Sequence, residues 1–150
     1  MTKLETWIAI GSLVMGIMFV VLMLSFYSFL IGPKGKGPEI YTDVGGVLIQ
    51  IISISGIPSV ILTGIVFGIT KSSRAKYAGV IVSVTGVILI VGMTIVIREI
   101  PKITIQYLTA GIDSLPYIFV IAGAAVTCLG CYIIIKPNRP KHRVKGEFIE

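Results

Sequence analysis

The sequence predicts an all-α membrane protein, a bundle of four transmembrane helices with both termini cytoplasmic. Three observations carry that expectation. Hydrophobic residues make up 55% of the 150 positions and charged residues only 13%, with a mean hydropathy of +0.97, a surplus of apolar surface that a water-soluble core does not need. The surplus is gathered into four stretches, residues 7–31, 44–70, 78–97 and 117–135, none of which contains Asp, Glu, Lys, Arg or His. Each has roughly the 20 residues that cross a hydrocarbon core of about 30 Å at about 1.5 Å per residue. The basic residues are also distributed unevenly among the connections. Lys3, Lys71, Arg74, Lys76, Lys136, Arg139, Lys141, Arg143 and Lys145 fall on the side of the termini, against Lys34, Lys36, Arg98 and Lys102 on the other, which by the positive-inside rule puts the termini in the cytoplasm.

The first span opens with a capping pattern, Thr2 followed three residues later by Glu5, whose side chains can serve the free amides of a first turn. It is longer than the roughly 7 to 15 apolar residues of a signal peptide and no small-x-small cleavage site follows it, so it is expected to stay attached. Aromatic residues at the predicted ends, Trp7, Tyr77 and Tyr132 on one side and Tyr41, Tyr107 and Tyr117 on the other, suit an interfacial belt. Pro58, near the middle of the second span, frees the carbonyl of Ile54 and is expected to kink that helix. Gln50, with Ser53 and Ser55, either lines a small polar pocket or hydrogen-bonds between helices or within its own.

Helices in lipid gain little by hiding apolar surface from one another, so they associate where small residues let backbones approach. Ser12 and Gly16 offer such a face in the first span and Gly64 and Gly68 form a GxxxG in the second. Gly79, Ser83 and Gly86 line the third, and the run "AGAAVTCLGC" thins the fourth through Gly123, Thr127, Cys128 and Cys131. Most of these lie in the cytoplasmic half, so the bundle is expected to be tightest there and looser outside.

The connections are less specific. "GPKGKGP" at 32–38 lacks the spacing of a phosphate-binding loop and reads as a turn. The segment 98–116 places Ile100, Ile103, Tyr107 and Ile112 close to one helical stripe, with Pro101 suited to a first turn. An outer interfacial helix is expected there, its stripe meeting a partner subunit or the headgroup layer; the alternation in "ITIQY" keeps a short strand as the alternative. Asp113 or Ser114 can cap the fourth span. Residues 1–135 thus form one transmembrane domain, followed by a basic tail at 136–150. There Lys136, Arg139, Lys141, Arg143 and Lys145 suit anionic lipid headgroups, and no aromatic interleaving points to nucleic acid.

The only cysteines, Cys128 and Cys131, raise the question of dithiol or metal chemistry. Four membrane helices with a C-x-x-C on the fourth resemble vitamin K epoxide reductase, which would imply a quinone-linked redox pair. The resemblance covers one tetrapeptide and a helix count. In that family the pair lies near the outer end of its helix and many members carry further loop cysteines, whereas here the pair falls in the inner half and the loops have none. A thiol in hydrocarbon without a cationic neighbour is not activated, and the one histidine, His142, is in the tail, so no zinc set assembles. Helix packing is the expected role, with no cofactor or metal. The spans also lack the ionisable groups that mark ion paths. The profile is similar in type to the small accessory subunits of respiratory or membrane monooxygenase complexes. The function expected from it is a non-catalytic subunit in the cell membrane, packing in the bilayer against other integral membrane subunits. A small oligomeric transporter or channel is the alternative, and a C-x-x-C redox enzyme a third reading.

Overall fold

The computed structural model describes residues 2–32, 37, 43–70, 76–103 and 111–135. Among them every regular element is helical: α1 (Thr2–Ile31), α2 (Val44–Ile51), a π-helical turn (Ile52–Gly56), α3 (Ile57–Thr70), α4 (Lys76–Glu99), a 3₁₀ turn (Ile100–Lys102) and α5 (Leu115–Ile135). Runs this rich in Ile and Val favour strands in water, but in hydrocarbon each backbone amide must find its acceptor within its own segment, which selects the helix. Four segments are long and apolar enough to cross a membrane: Leu4–Ile31, Val44–Thr70, Lys76–Lys102 and Leu115–Ile135. This architecture is compatible with a multi-pass helical membrane protein.

Local chemistry sets the helix ends. α1 stops at Gly32, whose φ of 64° is the left-handed conformation that a glycine adopts without strain after a helix. Its amide donates to the Ser28 carbonyl at 3.3 Å, and the Gly37 amide returns to the Ile31 carbonyl at 3.1 Å. Before α5, Asp113 Oδ1 accepts the Ser114 amide at 2.9 Å, and the Ser114 carbonyl accepts the first helical bond from Ile118. Pro116 sits in that first turn, where a missing amide is harmless.

The second span is interrupted where Pro58 demands it. Proline cannot donate to the Ile54 carbonyl, and just upstream the helix widens into the π turn, in which the Ile57 amide donates to Ile52, five residues back. Gly56 closes this turn. A Cβ there would lie 2.9 Å from Phe19 and 3.2 Å from Phe119, and those two rings meet at a tilt of 45° with centroids 4.4 Å apart. The proline thus yields a local widening, and the glycine beside it seats an aromatic pair from α1 and α5.

Helix α1 lies between α3 and α4, antiparallel to the first and parallel to the second, while α5 packs chiefly on α4 and meets α3 through Phe67 and Tyr132. We call the end where α1 starts and α5 stops the near end, and the opposite end the far end. Only 17% of the apolar window of α5 is buried, against 39% for the third span, so α5 is the peripheral helix. Side-chain size is sorted along the axis. The far half is filled by Phe19, Met23, Phe26, Tyr27, Leu30, Leu89, Met93 and Val96, and the near half by Ala9, Val66, Ala78, Val82 and Val126. Close backbone approach belongs mainly to the near half, but the far half is not loose; large rings occupy the space between its helices.

The connection after α4 folds back over this far core. Ile103 and Ile112 are buried in it and Ile100 packs against it, and the Tyr27 hydroxyl donates to the Ile112 carbonyl. The stripe expected to meet a partner therefore covers the chain's own core at Ile103 and Ile112, because Tyr27 needs an acceptor at that depth and finds it on the returning chain. Residues 104–110, Tyr107 among them, lie outside the described residues, and so does the interfacial helix expected across them.

Two variants test this closure. Tyr27→Phe should lower the melting stability of detergent-solubilised protein by about 1 kcal/mol, the scale of one hydrogen bond. Ile103→Asp should sharply reduce the yield of folded protein, since it buries an unpaired charge; a normal yield would show that the connection does not dock on the core.

Candidate functional site

The third and fourth spans meet through residues almost without side chains. Gly79, Ser83 and Gly86 of α4 lie against Gly130, Thr127 and Gly123 of α5. A Cβ at Gly86 would stand 2.6 Å from the Gly123 carbonyl oxygen, one at Gly130 2.5 Å from the Ser83 amide nitrogen, and one at Gly79 3.1 Å from the Gly130 carbonyl oxygen. The backbones are in contact, the geometry that small residues permit in lipid. Thr127 turns its hydroxyl back onto the Gly123 carbonyl at 2.8 Å, so that hydroxyl is satisfied within its own helix. Gly92 makes room for the side chain of Val20 on α1, and neither it nor Gly130 stands out in the sequence as one of a regularly spaced pair.

The contact between α1 and α3 is polar. Ser12 Oγ donates to the Ser59 carbonyl at 3.0 Å, and Ser59 Oγ donates to the Ser12 carbonyl at 3.1 Å. Thr63 Oγ1 lies 2.7 Å from Ser12 Oγ and 3.0 Å from the Ser59 carbonyl oxygen. All three residues are buried. Gly16 sits one turn further along, where a Cβ would be 3.0 Å from Thr85 Cγ2 and 3.3 Å from Ser59 Oγ. Interhelical hydroxyl bonds of this kind contribute about 0.6 kcal/mol each in a membrane; the reciprocal pair also fixes which face of α3 meets α1.

That choice turns Gly64 and Gly68 away. Both are exposed, and no atom of the chain lies within 4 Å of the Cβ either would carry. Gly64 is one residue, about 100° of rotation, past Thr63, which faces α1, and Gly68 is one residue past Phe67, which meets Tyr132 of α5. The GxxxG of the second span is therefore left open rather than used inside the bundle. The polar trio Gln50, Ser53 and Ser55 is divided in the same way. Gln50 and Ser53 are exposed, while Ser55 is buried and donates to the Ile51 carbonyl of its own helix at 2.8 Å.

Cys128 and Cys131 are both exposed. Cys131 Sγ lies 3.9 Å from Ser83 Oγ, at the edge of the α4 contact, and the residue of "CLGC" that enters the contact is Gly130. Among the described residues no three His, Cys, Asp or Glu side chains gather as a metal site would require. The basic cluster Lys136, Arg139, Lys141, Arg143 and Lys145 lies outside the described residues.

Glu5 is the residue whose placement the sequence conceals. It is 3% exposed, and its Oε2 has no hydrogen-bond partner among the described residues; Thr70, 4% exposed, has an equally unpartnered Oγ1. These are two buried polar groups at the near end of the α1–α3 seam. An unpaired polar atom in such a place is a departure from the usual rule that calls for an explanation.

The two classes of glycine should behave differently. Gly86→Leu or Gly130→Leu should push α4 and α5 apart and reduce folded protein, since overpacking costs about 1 to 3 kcal/mol. Gly64→Leu and Gly68→Leu should leave the isolated chain's melting midpoint in detergent near that of the parent. Replacing Cys128 and Cys131 together with Ala should likewise leave folding intact, and lost folding in that double variant would show that the exposed thiols support the bundle.

No family model, no curated protein and no solved structure matches this chain.

Proposed function

We propose that this protein is a non-catalytic accessory subunit of a larger integral-membrane complex of the respiratory or membrane monooxygenase type. In this reading it resides in the cell membrane with both termini cytoplasmic, its basic tail resting on anionic headgroups. The observation that carries the proposal is the pair of small-residue faces that the chain's own packing does not use. Gly64 and Gly68 open one side of α3, and Ala124, Ala125, Cys128 and Cys131 are exposed along α5. Much of the exposed surface elsewhere is bulky, as at Val14, Ile17, Val21, Val80, Val84 and Val91, which suits lipid tails, although Ser25, Ser28, Ser53 and Thr94 are exposed as well. Small residues on an outer face favour another helix at close range, where backbone contact supplies dispersion that lipid does not.

A homo-oligomeric transporter is the competing reading, supported by the buried hydroxyls between α1 and α3. Mild detergent extraction followed by native mass measurement separates the two: different partner chains support the subunit, and copies of this chain alone support the oligomer. In the subunit reading, Gly64→Leu combined with Gly68→Leu should sharply reduce co-extraction of partner chains while the variant stays folded. Undiminished co-extraction by that variant, and by a second with Ala124 and Ala125 replaced by Leu, would overturn the reading.

A further inference from the structure

Glu5 and Thr70 are far apart in sequence and adjacent by register. α1 and α3 run antiparallel, with Ser12 Oγ 2.7 Å from Thr63 Oγ1. Toward the near end, Ala9 and Val66 belong to one buried cluster together with Ala78. Glu5 precedes Ser12 by seven residues and Thr70 follows Thr63 by seven. Seven residues are about two turns of helix, with only about 20° of drift, so both side chains stay on the seam and reach the same level. Both are more than nine-tenths buried, and Oε2 of Glu5 and Oγ1 of Thr70 each lack a partner among the described residues. A helix N-terminus favours a carboxylate electrostatically, yet that field supplies no donor to Oε2.

We propose that the near end of the α1–α3 seam binds a small monovalent inorganic cation of sodium's kind, held between the Glu5 carboxylate and the Thr70 hydroxyl. The donors are all oxygen, which selects a hard cation over a soft one. The last turn of α3 ends at Thr70; its final carbonyls have no acceptance partner within the helix and carry the negative end of its dipole. One carboxylate balances one positive charge. A divalent ion would call for a second acid, and the other described acids, Asp43, Glu99 and Asp113, are all at the far end. The burial of both side chains favours a bare ion over the bulkier head of a lysine or arginine from a partner. The site lies wholly within this chain and does not rest on the subunit reading.

The test uses the full chain in vesicles of zwitterionic lipid, with sodium exchanged for N-methylglucamine at constant ionic strength. Trp7, the only tryptophan, is two residues from Glu5 and reports locally through its fluorescence. Sodium should give a saturable change in Trp7 emission and a higher melting midpoint, and N-methylglucamine should give neither. Glu5→Gln should abolish the saturable change. Thr70→Val should raise the half-saturating sodium concentration by about tenfold or more, the scale of one hydrogen bond to a charged group, while Thr70→Ser should keep it near the parent value. An equal response to both cations, an unchanged response in Glu5→Gln, or equal behaviour of Thr70→Val and Thr70→Ser would each overturn the proposal. Should Glu5→Gln fail to fold, the two Thr70 variants decide it.

Discussion

The reciprocal bonds between Ser12 and Ser59, with Thr63 as a third member, set the frame for the rest of the bundle. A hydroxyl in hydrocarbon has no water to bond, so it must find an acceptor in its own helix or a neighbouring one. Ser12 and Ser59 find each other's carbonyls, which requires the α1 and α3 backbones to approach closely at that level. Once that contact is made, the rotation of both helices is determined. Gly16 then faces Thr85 on α4, Ala9 and Val66 meet below, and Phe19 is carried toward Gly56 and Phe119 above.

From this frame the two halves solve the packing problem differently. In the near half, helices approach until backbones touch, as at Gly86 with Gly123 and Gly79 with Gly130. In the far half, rings and long side chains fill the wider space, and Ile103 and Ile112 of the returning connection close it. The hydrophobic effect explains neither arrangement, because lipid is as apolar as the core. Dispersion between well-matched surfaces and the satisfaction of a few hydroxyls are the forces that remain. They act over short distances, so a glycine at a crossing point matters more than the total apolar area of a helix.

The face of α4 was legible in the sequence because Gly79, Ser83 and Gly86 are spaced at helical intervals, and that of α5 only in part: Gly123 and Thr127 meet α4, whereas Cys128 and Cys131 are exposed and Gly130 enters the contact instead. The face of α3 was not. Spacing marks both Ser59 with Thr63 and Gly64 with Gly68 as places where another helix can approach, and nothing local ranks them. The hydroxyls of a neighbouring helix do, since turning Ser59 and Thr63 outward would leave polar groups facing lipid, whereas an outward glycine strands nothing. Glu5 was legible only as a partner for the first turn of its own helix. Its burial is a tertiary outcome that its own segment does not encode.

By itself the sequence determined the existence, number and approximate extent of the four helices, because length and the absence of charge are properties of a single segment and the bilayer judges each segment separately. It also marked Pro58, whose missing amide is a local fact, as the place where the second span departs from a regular helix; the departure is the π turn at Ile52–Gly56 just upstream, where a kink was expected. The tertiary structure decided which face of each helix is inside, that the isoleucines after α4 return to the core, and that Cys128 and Cys131 are exposed while Gly130 between them is buried. Those outcomes depend on which acceptor lies within about 3 Å of a given donor, and that distance is set by a second helix whose position no single segment encodes.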